Sequence, residues 1–112
     1  MTQSPQPRRV LFICHLNRAR SATAERVFCK RTDLEVRSAG TSADAMVRVS
    51  RRMLEWADVI FTMDAHQHRA LEGMFPAHPT LSGIVCLDIP DEFSFLDPQL
   101  VKLLGERVAP HI

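Results

Sequence analysis

Four apolar residues stand in unbroken succession from Val10 to Ile13, which is the pattern of a strand buried on both faces. The pattern then turns helical. From Ser21 to Lys30 the apolar positions Ala24, Val27 and Phe28 fall on one side. Leu34 to Ser38 alternates and predicts a second strand, with a loop at Ala39 to Ser42. Ala43 to Trp56 reads as helical with Val47, Met53, Leu54 and Trp56 inward, and Ser50 is placed to cap a second piece of it. Asp58 to Met63 is a third, nearly continuous apolar strand. Asp64 to Met74 is a third helix with Leu71 and Met74 inward, ended by Phe75-Pro76. Pro79 to Ser82 is a loop and Ile84 to Leu87 a fourth strand. Asp97-Pro98 opens the last helix as a cap followed by a first-turn proline, and Leu100, Val101, Leu104 and Val108 form its apolar stripe.

Strands that alternate with helices predict a parallel sheet covered on both faces, a single-domain, three-layer α/β fold with right-handed crossovers. In such a fold ligands sit at the carboxyl ends of the strands. Cys14 lies at such an end, and Arg20 and Ser21 lie where the next helix begins. The loop between them can point backbone N–H groups into one concavity, and the helix end adds partial positive charge, so the place suits a tetrahedral oxyanion.

The residue types in that loop suggest chemistry. A thiolate is held by a helix N-terminus and a nearby arginine, and thiolate is the nucleophilic form. Arg20 can grip two oxygens of a phosphoryl group with its planar fork. Ser21 can donate to the sulfur, and Asn17 can tie the loop together and tolerates a left-handed backbone. The alternative for Cys14 is a small buried hydrophobe at a strand end.

The run Val10-Leu-Phe-Ile-Cys14, with Asn17, Arg20-Ser21, Ala24-Glu25 and Phe28, resembles the opening of the low-molecular-weight protein tyrosine phosphatases. Ser38-Ala39-Gly40-Thr41 and Ala57-Asp-Val-Ile-Phe-Thr-Met-Asp64 are similar to later motifs of the family, in the family's order. The resemblance implies a flavodoxin-like sheet of order 2-1-3-4, a phosphate-binding loop after the first strand, and catalysis through a cysteinyl-phosphate. It implies Cys14 as nucleophile and Arg20 as phosphate clamp, with His15, Leu16, Asn17, Arg18, Ala19 and Ser21 around the substrate. Ser38, Asn17 and Ser21 would support the loop. The family's general acid is an aspartate shortly after the fourth strand, usually followed by Pro and aromatic residues. Asp91, with Phe93 as the aromatic lip, is preferred here to Asp97, which helix capping explains; Phe95 is the other candidate lip.

The chain departs from the family in several places. Glu92 follows Asp91, Leu16 replaces a loop glycine, Ala19 replaces a second loop cysteine, and there is no tyrosine. The segment between Ser38 and Ala57 is also shorter than in typical members. These changes leave the substrate open.

Composition narrows the reading further. A chain of 112 residues makes one small domain; residues 1–8 read as a flexible leader without the apolar segment of a signal peptide, and 9–112 as the phosphatase-like domain. A net charge of +1 and the lack of a long apolar run argue against nucleic-acid and membrane partners. The three cysteines, at 14, 29 and 86, read as free thiols of a cytoplasmic protein, with Cys29 and Cys86 buried. His66, His68 and His78 make no recognisable metal site, and no cofactor is expected. His15 is expected to face solvent, and Arg48, Arg51 and Arg52 to form a solvated helix face.

The expected partner is a phosphorylated substrate, either a phosphotyrosine protein or a small phosphomonoester, and the expected state a monomer or weak dimer. Two other readings stay open: an arsenate reductase, which needs further cysteines, and a non-catalytic module that binds phosphate or a phosphoprotein.

Overall fold

The structure is a computed structural model that describes residues 6–112. Its four strands are β1 (Arg8–Cys14), β2 (Leu34–Gly40), β3 (Val59–Thr62) and β4 (Val85–Cys86). They form one parallel sheet in the order β2-β1-β3-β4. The helices are α1 (Arg20–Phe28), α2 (Arg51–Trp56), α3 (Ala65–Met74) and α4 (Pro98–Val108). This is the expected order, with β1 central.

The continuous apolar run of β1 is explained by burial on both sides. Val10, Phe12 and Cys14 face a core closed by α1 and α4, including Phe28, Leu100, Leu104 and Val108. Leu11 and Ile13 face a second core with Leu54 of α2 and Leu71 of α3. Val10 to Ile13 are all fully buried. Phe12 stacks on Phe28 and on Phe61, with ring centroids 5.6 and 5.3 Å apart.

Several expectations need correction. β1 begins at Arg8, inside the expected leader, because Arg8 and Arg9 still pair with Leu34 and Glu35 of β2; residues 1–5 of that leader lie outside the described residues. The helix expected over Ala43 to Trp56 exists only from Arg51, capped by Ser50, whose Oγ accepts from Met53 N at 3.3 Å. Before it, residues 41–48 form a strap of bends and a turn, in which Val47 is exposed. Pairing of the strap's backbone with its neighbours outweighs helix propensity there. The loop expected at Pro79 to Ser82 is a short 3-10 helix.

β4 is shorter than expected and lies at the sheet edge. Its Cys86 is exposed, as is Cys29, which caps the C-terminus of α1. Val101 is half-buried, while the other three residues of the α4 stripe are buried. Among the described residues no helix is long and apolar enough to cross a membrane, and no group of His, Cys, Asp and Glu is arranged to hold a metal.

Phe12→Ala removes a ring that stacks on two others in the centre of one core. It should cost about 3–5 kcal/mol. Urea unfolding should show this as a lower midpoint at an unchanged slope.

Candidate active site

β1 ends at Cys14, whose backbone pairs with Gly40 at the end of β2. The chain then turns through residues 15–19 into α1. Asn17 makes the turn with φ at 58°, a left-handed conformation that asparagine tolerates. Ala19 stands at the N-cap of α1 and supplies no side-chain acceptor. The first amides of α1 therefore have no capping side chain, which suits them to an external anion.

Behind the loop lies a buried polar chain. Asn17 Nδ2 donates to Ser21 Oγ and to Ser38 Oγ, each at 2.9 Å. Ser38 Oγ donates in turn to the Glu25 carboxylate. The Cys14 sulfur receives the Asn17 backbone N–H at 3.2 Å and lies 2.9 Å from Ser21 Oγ. Ser21 Oγ also lies 3.3 Å from the Ala39 carbonyl oxygen. Each member of the chain has a partner, which a buried polar group requires.

The strap of residues 41–48 holds the loop from the other side. Thr41 N donates to Cys14 O, Ser42 N to His15 O and Met46 N to Leu16 O, at 3.0 to 3.1 Å. This close approach depends on Gly40. A Cβ there would lie 2.4 Å from His15 O, 2.7 Å from Ala45 Cβ and 3.0 Å from Asn17 N.

Arg20 is 2% exposed. Its Nη1 donates to Asp64 Oδ2 at 2.7 Å and to the Ile89 carbonyl oxygen at 2.8 Å. Both bonds leave from Nη1, so Nε and Nη2 remain for another acceptor. Asp64 is the N-cap of α3, in a reciprocal capping box with Gln67. Its Oδ1 accepts from His66 N at 2.8 Å and lies 3.1 Å from His66 Nδ1. Partial burial alone would raise the Asp64 carboxyl. The hydrogen bonds from Arg20 and the His66 backbone, with the charge of Arg20, outweigh it and bring the pKa to about 2.

The fourth side is the segment after β4. Leu87 N and Ile89 N bond Thr62 O and Met63 O at 2.8 and 2.7 Å, carrying the ladder past the strand end. Asp91 follows, largely exposed, with Oδ1 3.7 Å from Arg20 Nε.

One small cavity of about 60 Å³ is lined by Cys14, His15, Leu16, Arg18, Ala19, Arg20 and Asp91. Next to it is a larger cleft of about 820 Å³, which shares His15, Arg20 and Asp91 and adds Thr41, Asp64, His66, Gln67 and Asp88 among its walls. Asn17, Ser21 and Ser38 form the network behind. Phe93 does not join them. It packs against the core beside α1 and α4, and Phe95 is exposed outside both cavities, so neither makes an aromatic wall. Asp97 caps α4 by accepting from Gln99 N at 2.8 Å and lines neither cavity.

Residues 9–58 match the family model described as low molecular weight phosphotyrosine protein phosphatase. The whole fold is similar to solved structures of that group. The YwlE arginine phosphatase from Geobacillus stearothermophilus superposes with a TM-score of 0.72 at 20% identity, over 93% of this chain and 92% of that one. The low molecular weight protein tyrosine phosphatase SP-PTP from Streptococcus pyogenes gives 0.74 at 18%, over 94% and 93%. The tyrosine phosphatase Wzb from Escherichia coli K30, in complex with phosphate, gives 0.75 at 16%, over 91% and 94%. The chain therefore shares the fold of these phosphatases, and residues 9–58 carry its sequence likeness to the family. No protein with curated function matches the sequence significantly.

Asp64, Gln67 and Gly40 hold the site together although sequence reasoning gave them no part in it. The spacing Asp64-x-x-Gln67 is a readable capping signal. The contact of Asp64 with Arg20, 44 residues away in sequence, is not readable.

Gly40→Ala should displace the loop while leaving the two cores intact. Phosphate or vanadate protection against thermal unfolding should be lost, with far-ultraviolet circular dichroism unchanged. The Asp64 carboxyl sits below its ordinary value of 3.8 when folded, at about 2. Its contribution is therefore present above the unfolded value and is lost as pH falls from near 4 through about 2. By linkage it is worth about 2 kcal/mol at pH 7. The stability gap between wild type and Asp64→Asn should narrow by that much over this interval in urea titrations.

Proposed function

We propose that this chain is a phosphomonoesterase that works through a cysteinyl-phosphate intermediate. The observation that carries the reading is that one small cavity is shared by a thiol, a buried guanidinium and a carboxylate: Cys14, Arg20 and Asp91. The phosphoryl group would sit over the Cys14 sulfur, its oxygens taken by the uncapped amides at the head of α1 and by Arg20 Nε and Nη2.

In the first step the Cys14 thiolate attacks phosphorus. The S–P bond forms, the P–O bond to the leaving group breaks, and Asp91 gives its proton to the departing oxygen. In the second step Asp91, now a carboxylate, takes a proton from water. The water oxygen attacks phosphorus, the S–P bond breaks, and phosphate and thiolate are regenerated. No metal ligand enters either step. Positioning and charge stabilisation supply most of the rate. Asn17, Ser21 and Ser38 would hold the loop, and Arg18 and His15 would stand at its mouth.

The substrate is a phosphorylated protein side chain or a small phosphomonoester. The larger cleft offers a leaving group both polar groups, from Thr41, His66, Gln67 and Asp88, and apolar surface, from Ala70, Ile89 and Pro90, with no Phe, Tyr or Trp in its walls. The solved structures similar to this chain include both an arginine phosphatase and tyrosine phosphatases. We therefore propose phosphate-centred recognition, with no selection for an aromatic ring.

Release of nitrophenol from p-nitrophenyl phosphate at mildly acid pH, with chelator present, tests the mechanism. Wild type should turn over and Cys14→Ser should not. Asp91→Ala should lose roughly 10²–10⁴-fold in kcat. Cys29→Ser and Cys86→Ser should keep activity, because neither thiol lines the cavities; loss in either would favour a reductase that passes on a disulfide. No turnover by wild type, with phosphate still bound, would leave a binding module.

A further inference from the structure

We infer that Arg107, on the last turns of α4, is a positioning residue for the proposed acid Asp91. The inference rests on the phosphatase reading only for its effect on rate; the contact itself does not. Arg107 Nη1 donates to the Leu87 carbonyl oxygen at 2.7 Å and to the Asp88 carbonyl oxygen at 3.1 Å. Those two carbonyls belong to the segment that leaves the sheet edge just before Asp91.

The segment needs such a clamp for a definite reason. Asp88 has φ at 59°, a left-handed conformation that few residues with a Cβ adopt, aspartate among them, and it turns the chain sharply at this point. On one side of the turn Leu87 is fixed in the core and its N–H bonds β3. On the other, Ile89 is fully buried and its N–H bonds Met63 O. Between these anchors the strand has ended, so the carbonyls of Leu87 and Asp88 need donors from elsewhere. One guanidinium nitrogen supplies both. The turn then directs the Ile89 carbonyl oxygen to Arg20 at 2.8 Å and leaves Pro90 and Asp91 on the cavity rim.

Through this turn Arg107 acts on the acid while lining neither cavity. Its loss should therefore weaken proton donation, while the bond from Arg20 to Asp64 keeps the guanidinium in place for phosphate capture. A leaving group that departs readily as an anion needs no acid, whereas a poor one depends on it. The effect should grow as the leaving group worsens.

The experiment compares wild type, Arg107→Met and Arg107→Lys on 2,4-dinitrophenyl phosphate and phenyl phosphate, and reads amide hydrogen exchange of residues 87–91 in the same proteins. Arg107→Met should lose about tenfold in kcat/KM on phenyl phosphate, a part of the whole effect of a general acid, and less than about twofold in kcat/KM on the dinitrophenyl ester, because kcat/KM reads only the first step, in which the leaving group departs. Exchange at Leu87 and Ile89 should quicken, with β1 and β3 unaffected. Arg107→Lys, which can still donate to a carbonyl, should recover part of both effects. Equal losses in kcat/KM on the two esters, or no loss on either, overturns the positioning role. Unchanged exchange overturns the clamp. If wild type turns over neither ester, the phosphatase reading fails, and the exchange result still decides the clamp.

Discussion

The site depends on how closely two backbones can approach where β1 and β2 end. Cys14 and Gly40 are the last paired residues of those strands, and beyond them the loop of residues 15–19 and the strap continue side by side. Three strap amides bond loop carbonyls there, and a Cβ on residue 40 would overlap the His15 carbonyl oxygen. Sheet pairing thus extends past the sheet and holds an irregular loop as firmly as a strand. The strap spans the segment that is long in typical members of the family. A short connection can therefore still brace the loop, even though it leaves a wide cleft beside it.

Charge is handled with similar economy. Arg20 is buried, and a buried guanidinium without a partner would be strongly destabilising. Asp64 provides that partner while capping α3, and its low pKa reflects both duties. Because Asp64 and Ile89 both bind Nη1, the other edge of the guanidinium keeps its orientation and its donors. The guanidinium of Arg20 is therefore preorganised by groups that lie outside the loop itself.

The sequence carried the architecture well. The doubly buried β1 showed in four consecutive apolar residues, the cap of α4 in Asp97-Pro98, and the position of α3 in its apolar spacing. Where it misled, tertiary pairing had overruled a local preference. Residues 43–50 have helical composition, but their amides and carbonyls find better partners in the loop and at Gly40. Phe93 looked like a wall because it follows Asp91, yet the core had room for its ring. Alternation in a two-residue edge strand carries too little signal to place Cys86, which proved exposed. The loop residues Asn17, Ser21 and Ser38 were readable as a group only through the family resemblance, since spacing alone cannot reveal that they meet.

Ser21 has one proton and two places to put it. Its oxygen receives Asn17, so its hydrogen can turn either to the Cys14 sulfur or to the Ala39 carbonyl. While the sulfur is an anion, the hydrogen belongs there. In the proposed cycle a sulfur bonded to phosphorus would accept poorly, and the hydroxyl would rotate to the carbonyl. Such a rotor would let the loop meet free and esterified cysteine by turning one hydroxyl. The adjustment to the changing charge would then fall on a single hydrogen, which would keep the reorganisation in each half of that cycle small.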